Sequence, residues 1–265
     1  MRFSILTYNV LFNNAVPQLA TILNKYKPDI VCLQEVDTSA KNLQQLELDD
    51  YRLADYSNSF IKFGNIYGVA TFYKKKNFRL VKSDSFNIPR SFFEILLLLM
   101  RLLKGLDQPR TMLGTDFVHE STKKKISVYN IHLTVMTTNT GRMKQINQIL
   151  ETFDSDRETS CILAGDFNYF PYARKNLENL MEQFGLKEAT HNIPYTIEYT
   201  RGANGAKMFH YSLLQKLSAK LIGMLFSLNR LKLDYIFFRH LQLIETKRVR
   251  FNHSDHFPII SEFEV

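Results

Sequence analysis

Tryptophan is absent from this 265-residue sequence, and cysteine nearly so: there are two, Cys32 and Cys161. Each interrupts a strand-like apolar run, Asp29-Ile30-Val31-Cys32-Leu33 and Ser160-Cys161-Ile162-Leu163, so both read as buried reduced thiols and no disulfide framework is needed. The missing tryptophan excludes little, because Tyr, Phe and Arg also stack on bases. No apolar run reaches the roughly 20 residues of a spanning helix. The richest stretch, 91–104, is flanked and pierced by charge. The first residues, Met1-Arg2-Phe3-Ser4-Ile5-Leu6-Thr7-Tyr8, alternate like a strand and carry no long apolar core, which argues against a signal peptide. A cytoplasmic location, at most peripheral to a membrane, is the expectation. Internal repeats, low-complexity tracts and Pro/Gly-rich linkers are also lacking, so one domain over 1–265 is expected.

Of the residues present, 45% are hydrophobic and 23% charged, enough to bury a large core. The formal net charge of +8 favours an anionic partner, a nucleic acid or an acidic membrane surface. Segments rich in Val, Ile, Tyr and Phe predict strands at 3–10, 29–34, 67–73, 78–86, 111–119, 126–133, 161–165, 233–238, 246–250 and 258–265. Helical spacing marks 16–27, 140–153 and 173–184. Strands outnumber helices, and the helices fall in connections, the pattern of two packed sheets with helices outside. Two segments break the rhythm: the apolar 91–105, and 207–231, whose Leu213, Leu217, Leu221 and Leu225 recur at helical spacing beside Lys216 and Lys220. Both read as insertions.

Polar residues in unusual settings gather at strand ends. Asn9 follows Leu6-Thr7-Tyr8, Glu35 follows Val31-Cys32-Leu33-Gln34, and His132 closes Val128-Tyr129-Asn130-Ile131. Asp166 and Asn168 follow Ile162-Leu163-Ala164-Gly165, Asp234 opens a strand, and Asp255 with His256 precedes the last one. A layered fold can collect such residues into one crevice on a rigid frame. Oxygen donors without Cys or clustered His select Mg²⁺, Mn²⁺ or Ca²⁺ over Zn²⁺.

The blocks Thr7-Tyr8-Asn9-Val10, Pro28 to Val36, Ile131-His132-Leu133, Gly165-Asp166-Phe167-Asn168, Leu233 to Phe237 and Ser254-Asp255-His256 stand in an order and spacing that resemble the endonuclease/exonuclease/phosphatase superfamily, of deoxyribonuclease-like and neutral-sphingomyelinase-like fold. That resemblance implies a four-layer α/β sandwich, two packed mixed β-sheets flanked by helices, and a Mg²⁺-dependent phosphoesterase, with Mn²⁺ as a substitute metal. It also implies roles. Glu35 would be the main metal ligand, with Asn9 close by and Asp255 serving the same metal. Asp166 would orient or deprotonate the attacking water, and Asn168 would hold a phosphate oxygen. His256 would act as base or phosphate-stabilising partner, oriented by Asp234, and His132 would stabilise or protonate the leaving oxygen. The acidic residue that often orients this histidine in the family has no evident counterpart here. His253, outside the block, reads as a loop residue, Arg142 and Gln145 as structural groups, and Lys74-Lys75-Lys76 and Lys123-Lys124-Lys125 as solvated turns.

Members of the superfamily cleave nucleic acids, inositol phosphates and sphingolipid head groups with nearly the same core, so the core does not choose a substrate. A histidine at 132 and Gln34-Glu35-Val36 both lean away from abasic-site repair. The two insertions and the positive charge lean toward a membrane-lipid phosphodiester or phosphoinositide, with a metal-dependent nuclease as the alternative. If the insertions meet lipid, the protein binds anionic liposomes at low salt. Replacing Leu97, Leu98, Leu221 and Leu225 by polar residues then abolishes that binding in a flotation assay, and no binding by the unaltered protein removes the idea.

Overall fold

Alternation along the strands sorts side chains onto two faces, and those faces define the layers. The computed structural model describes residues 1–48, 50–62, 64–88, 111–135, 137–153, 158–198, 230–251 and 253–265. In chain order the elements are β1 (Arg2–Asn9), α1 (Leu19–Tyr26), β2 (Ile30–Asp37), α2 (Ala40–Leu46), β3 (Tyr51–Lys62), β4 (Asn65–Lys74), β5 (Phe78–Asn87), β6 (Thr111–His119) and β7 (Lys125–His132). They continue with α3 (Asn139–Phe153), β8 (Ser160–Asp166), α4 (Arg174–Gln183), β9 (Lys187–Glu188), β10 (Ile197–Glu198), β11 (Arg230–Leu231), β12 (Asp234–Arg239), β13 (Gln242–Arg248) and β14 (Ile259–Glu264). One sheet has the order β13-β14-β1-β2-β4-β3, the other β5-β6-β7-β8-β12-β9, and β10 with β11 forms a short ribbon.

Both sheets are mixed. β1 runs parallel to β2 and β7 parallel to β8, and each parallel pair is joined through a helix, as a crossover requires. In β1 the odd residues Phe3 and Ile5 enter the space between the sheets, where they meet Phe117, Val128, Ile162 and Ile236 of the second sheet. The even residues Leu6 and Tyr8 face the other way and pack with Leu19, Ile22 and Leu23 of α1 and Leu43 and Leu46 of α2. The second sheet mirrors this arrangement: Leu163, Tyr235 and Phe237 face outward onto Ile146, Ile149 and Leu150 of α3 and Leu177, Leu180 and Met181 of α4. The result is a four-layer α/β sandwich. Cys32 and Cys161 are buried free thiols, each pushed up to about 12 by desolvation.

Several expectations are revised. Strand β3 and helix α2 were not foreseen, and the strand expected at 246–250 lies at Gln242–Arg248. The apolar segment 91–105 lies outside the described residues. Of 207–231 only 230 and 231 are described, and they belong to a strand rather than to a helix. The lysine runs at 74–76 and 123–125 lie at chain reversals, with Lys75, Lys76, Lys123, Lys124 and Lys125 exposed. No helix among the described residues is long and apolar enough to cross a membrane.

One glycine fixes how closely β7 and β8 approach where they deliver the polar residues. Gly165 has φ of +144°, and a Cβ there would stand 2.0 Å from the Ile131 carbonyl oxygen. Gly165→Ala therefore has to push the strands apart beside Asp166. A destabilisation of about 2 kcal/mol or more is expected, read as a lower midpoint in urea unfolding.

Candidate active site

Strand register alone aligns three of the site residues. His132 stands opposite Asp166 in the β7–β8 pair, and Asp166 stands opposite Asp234 in the β8–β12 pair. His132 and Asp166 end inner-face series that begin with apolar residues, Ile126-Val128-Asn130-His132 and Ile162-Ala164-Asp166, and Asp234 opens one, Asp234-Ile236-Phe238. In the first sheet β14 runs antiparallel to β1, so the residues preceding β14 arrive beside the end of β1. Ser254 Oγ fixes that junction by donating to the Asn9 carbonyl at 2.8 Å, and His256 N donates to the same hydroxyl.

Glu35 reaches the crevice by a backbone irregularity. Ile30, Cys32 and Gln34 face inward, so strict alternation would turn Glu35 outward. A bulge between Gln34 and Val36 inserts one residue, and Glu35 occupies it with φ of +54°. Asn168 is likewise left-handed, at +50°. Leu11, Phe12 and Asn13, just past Asn9, form a run of three left-handed residues. Such conformations cost of order 1–3 kcal/mol each and persist only where their surroundings hold them. Here Asn13 Oδ1 accepts from Asp37 N and its Nδ2 donates to Asn42, while Asn14 Nδ2 donates to the His253 carbonyl. His253 thus serves the loop.

Asp166 is the meeting point. Its Oδ2 accepts from Asn9 Nδ2 at 3.0 Å and lies 3.7 Å from Nε2 of both His132 and His256. Its Oδ1 accepts from the Asn168 backbone N–H at 2.9 Å. On the far side of His256, Nδ1 lies 2.9 and 3.1 Å from the two oxygens of Asp234, and Thr196 Oγ1 accepts from the backbone N–H of Asp234. His132 Nε2 is also 3.7 Å from Glu35 Oε1. Its ring meets Phe60 of β3 edge-on at 6.0 Å, so an aromatic flanks it from that strand. All eight residues singled out in the sequence (Asn9, Glu35, His132, Asp166, Asn168, Asp234, Asp255 and His256) lie in this one crevice or on its rim.

Burial controls the charge. Desolvation raises Glu35 above the usual carboxyl range, and the nearby Asp255 adds to the shift. Desolvation also pushes Asp166 up to about 7, although His256 opposes it. Burial alone would lower His256, yet Asp234 and Asp166 together hold it well above the ordinary imidazole value.

The donors fit a hard divalent cation. Glu35 Oε2 is buried with no hydrogen-bond partner among the described residues, and two carboxylates, Glu35 and Asp255, repel each other where a cation would relieve both. Asp166, Asp234 and His256 also bring ligand atoms within 4.8 Å of one another, but Nδ1 of His256 is engaged with Asp234, so this set is a hydrogen-bonded dyad beside an acid. A second acid and imidazole cluster, Glu178, Glu188 and His191, is already compensated by Arg174 and Lys232.

Sequence reasoning missed the layer beneath the site. Gln34 Nε2 donates to Asn130 Oδ1 and to Thr7 Oγ1, and Asn130 Nδ2 donates to the Ala70 and Leu33 carbonyls. This buried amide layer separates the apolar slab from the ionisable crevice. Its signal was present as polar residues one inward step before Asn9 and His132. Arg142 is fully buried and donates to the Thr134 and Val135 carbonyls and to Asn139, bracing the loop after His132.

With this geometry, the sequence matches the Endonuclease/Exonuclease/phosphatase family over residues 6–256, and the chain belongs to that family. It is a metal-dependent phosphoric ester hydrolase, as its family is. No curated protein matches it in sequence. Among solved structures it is similar to an endonuclease/exonuclease/phosphatase from Bacteroides vulgatus, with TM-score 0.72 and 17% identity over 100% of this chain and 99% of that one. It is also similar to D. rerio TDP2 complexed with a single-strand DNA product, with TM-score 0.65 and 16% identity over 100% and 99% of the two chains. A third is a mannosyl-6-phosphatase from Bacteroides thetaiotaomicron, with TM-score 0.67 and 15% identity over 99% and 100%.

Asp166 has a measurable signature. Its folded-state value lies above the unfolded 3.8, so its contribution favours the fold below about pH 4 and is lost as pH climbs toward 7. With divalent metal chelated, the melting temperature should fall across that window, and Asp166→Asn should flatten the fall. An unchanged slope in the variant would assign it to other groups.

Proposed function

We propose that this crevice hydrolyses a phosphate ester by in-line attack of water at phosphorus. The observation that carries the reading is the unbroken chain Glu35–His132–Asp166–His256–Asp234, in which carboxylates and imidazoles alternate within hydrogen-bond or ion-pair reach. Asp166 orients the water and takes its proton. Asn9 holds the Asp166 carboxylate, and Asn168, whose Nδ2 already donates one hydrogen to the Leu133 carbonyl at 3.0 Å, offers the other to a phosphate oxygen. His256, kept protonated by Asp234, faces the charge that develops on the phosphoryl group. His132 stabilises or protonates the leaving oxygen.

Glu35 and Asp255, with Asn9 beside them, would hold Mg²⁺, or Mn²⁺ in its place. When bound, the ion supplies charge neutralisation at the phosphoryl oxygens. The substrate we favour is a membrane-lipid phosphodiester or phosphoinositide, on the strength of the +8 charge and the two apolar segments of the sequence. A nucleic-acid substrate is the second reading, and one observation favours it. Tyr172, 78% exposed and four residues past Asn168, stacks on Phe170, which lies over the Arg142 guanidinium, a platform suited to a base.

A panel of phosphate mono- and diesters, lipid vesicles and single-stranded DNA, assayed with Mg²⁺, separates these readings. His256→Ala should cost about 10²–10⁴-fold in turnover and Glu35→Ala at least as much. Activity that survives both changes would place the chemistry elsewhere.

A further inference from the structure

The hairpin formed by β3 and β4 brings a cation to the site that the chemistry above does not use. Lys62 Nζ lies 3.7 Å from the centroid of the Phe12 ring. Phe12 meets Phe60 and Tyr67 edge-to-face at 5.9 and 5.4 Å, and Phe60 meets the His132 ring. Lys62, Phe12, Phe60 and His132 therefore form one continuous wall. Two backbone devices build it: the left-handed run Leu11–Phe12–Asn13, and a bulge between Asn58 and Phe60 in β3. Phe60 pairs with Tyr67 and Lys62 with Asn65, so Phe60 and Lys62 rise from the same face of the hairpin.

Lys62 also belongs to the electrostatics of the crevice. Partial burial disfavours its ammonium, and Glu35 and Asp255 are the charges that counter this. Those two carboxylates are the ones proposed to hold the metal. Once a divalent cation takes their charge, the ammonium and the ion repel unless an anion lies between them. An ammonium offers three donors and binds phosphate as a point charge.

We propose that Lys62, seated on Phe12, is a substrate-contacting residue that binds a second anionic group, so that the preferred substrate is a phosphate ester carrying a further phosphate near the scissile one. The inference rests on the phosphoesterase reading for its turnover test, and a binding measurement makes it separable. The ratio of kcat/KM for an inositol bisphosphate over the matching monophosphate reads the preference. The same ratio for a nucleoside 3′,5′-bisphosphate over its 5′-monophosphate shows whether the preference follows the polyol or the nucleoside. Wild type should favour the bisphosphate of at least one pair by about tenfold, the scale of one charge-assisted hydrogen bond. Lys62→Met, which keeps the stem on Phe12, should bring that ratio close to one, and Lys62→Arg should restore part of it.

The independent arm is equilibrium binding of methylenebisphosphonate against methylphosphonate at fixed free Mg²⁺, since neither can be hydrolysed. Tighter binding of the bisphosphonate that is lost in Lys62→Met supports the subsite even if no ester tested is turned over, an outcome that would count against the proposed reaction alone. A ratio near one in wild type, or a ratio unchanged in Lys62→Met with its melting temperature preserved, would overturn the proposal.

Discussion

A carboxylate enclosed between two imidazoles is the constraint on which the rest of this molecule turns. Asp166 is 1% exposed, and it is held by an amide from β1, a backbone N–H just past β8, and two histidines delivered by β7 and by the segment before β14. A charge buried this deeply is tolerated only when its partners are fixed. Four chain segments far apart in sequence must therefore close together, and the two sheets supply the frame that closes them.

The frame can do so because each inner face changes character along its length. At one end Phe3, Ile5, Ile162 and Ile236 make an apolar slab; at the other Asn9, Asp166 and Asp234 stand on the same face. Hydrophobic burial at the first end compensates the desolvation of charge at the second. The strained residues Glu35 and Asn168 sit where alternation is broken, at a bulge in β2 and just past the end of β8, and each brings one more polar side chain to the crevice than a regular strand would present.

Much of this could be read from the residues in advance. Strands of continuous Val, Ile, Leu and Phe declared themselves, and the eight polar residues were recognisable because each ended or opened such a run. The unforeseen parts share a physical cause, which is that their cues are tertiary. β3 reads Tyr51-Arg52-Leu53-Ala54-Asp55-Tyr56-Ser57-Asn58-Ser59-Phe60, with two bulges that break the period of two, so no clean alternation exists to be seen. The aromatic wall joins residue 12 to residues 60 and 67, and no local pattern connects them. The bulge at Glu35 could not be inferred either, since a single inserted residue leaves the composition of its strand unchanged.

The buried layer of Thr7, Gln34 and Asn130 has a mechanical consequence. Because Asn130 of one sheet donates to carbonyls of the other and accepts from Gln34, a slide of one sheet across its partner would break directional bonds that an apolar contact would simply re-form. The two sheets are keyed together and should move as one body. Any adjustment to an incoming ligand is thereby assigned to side chains at the rim, while the anvil beneath stays still.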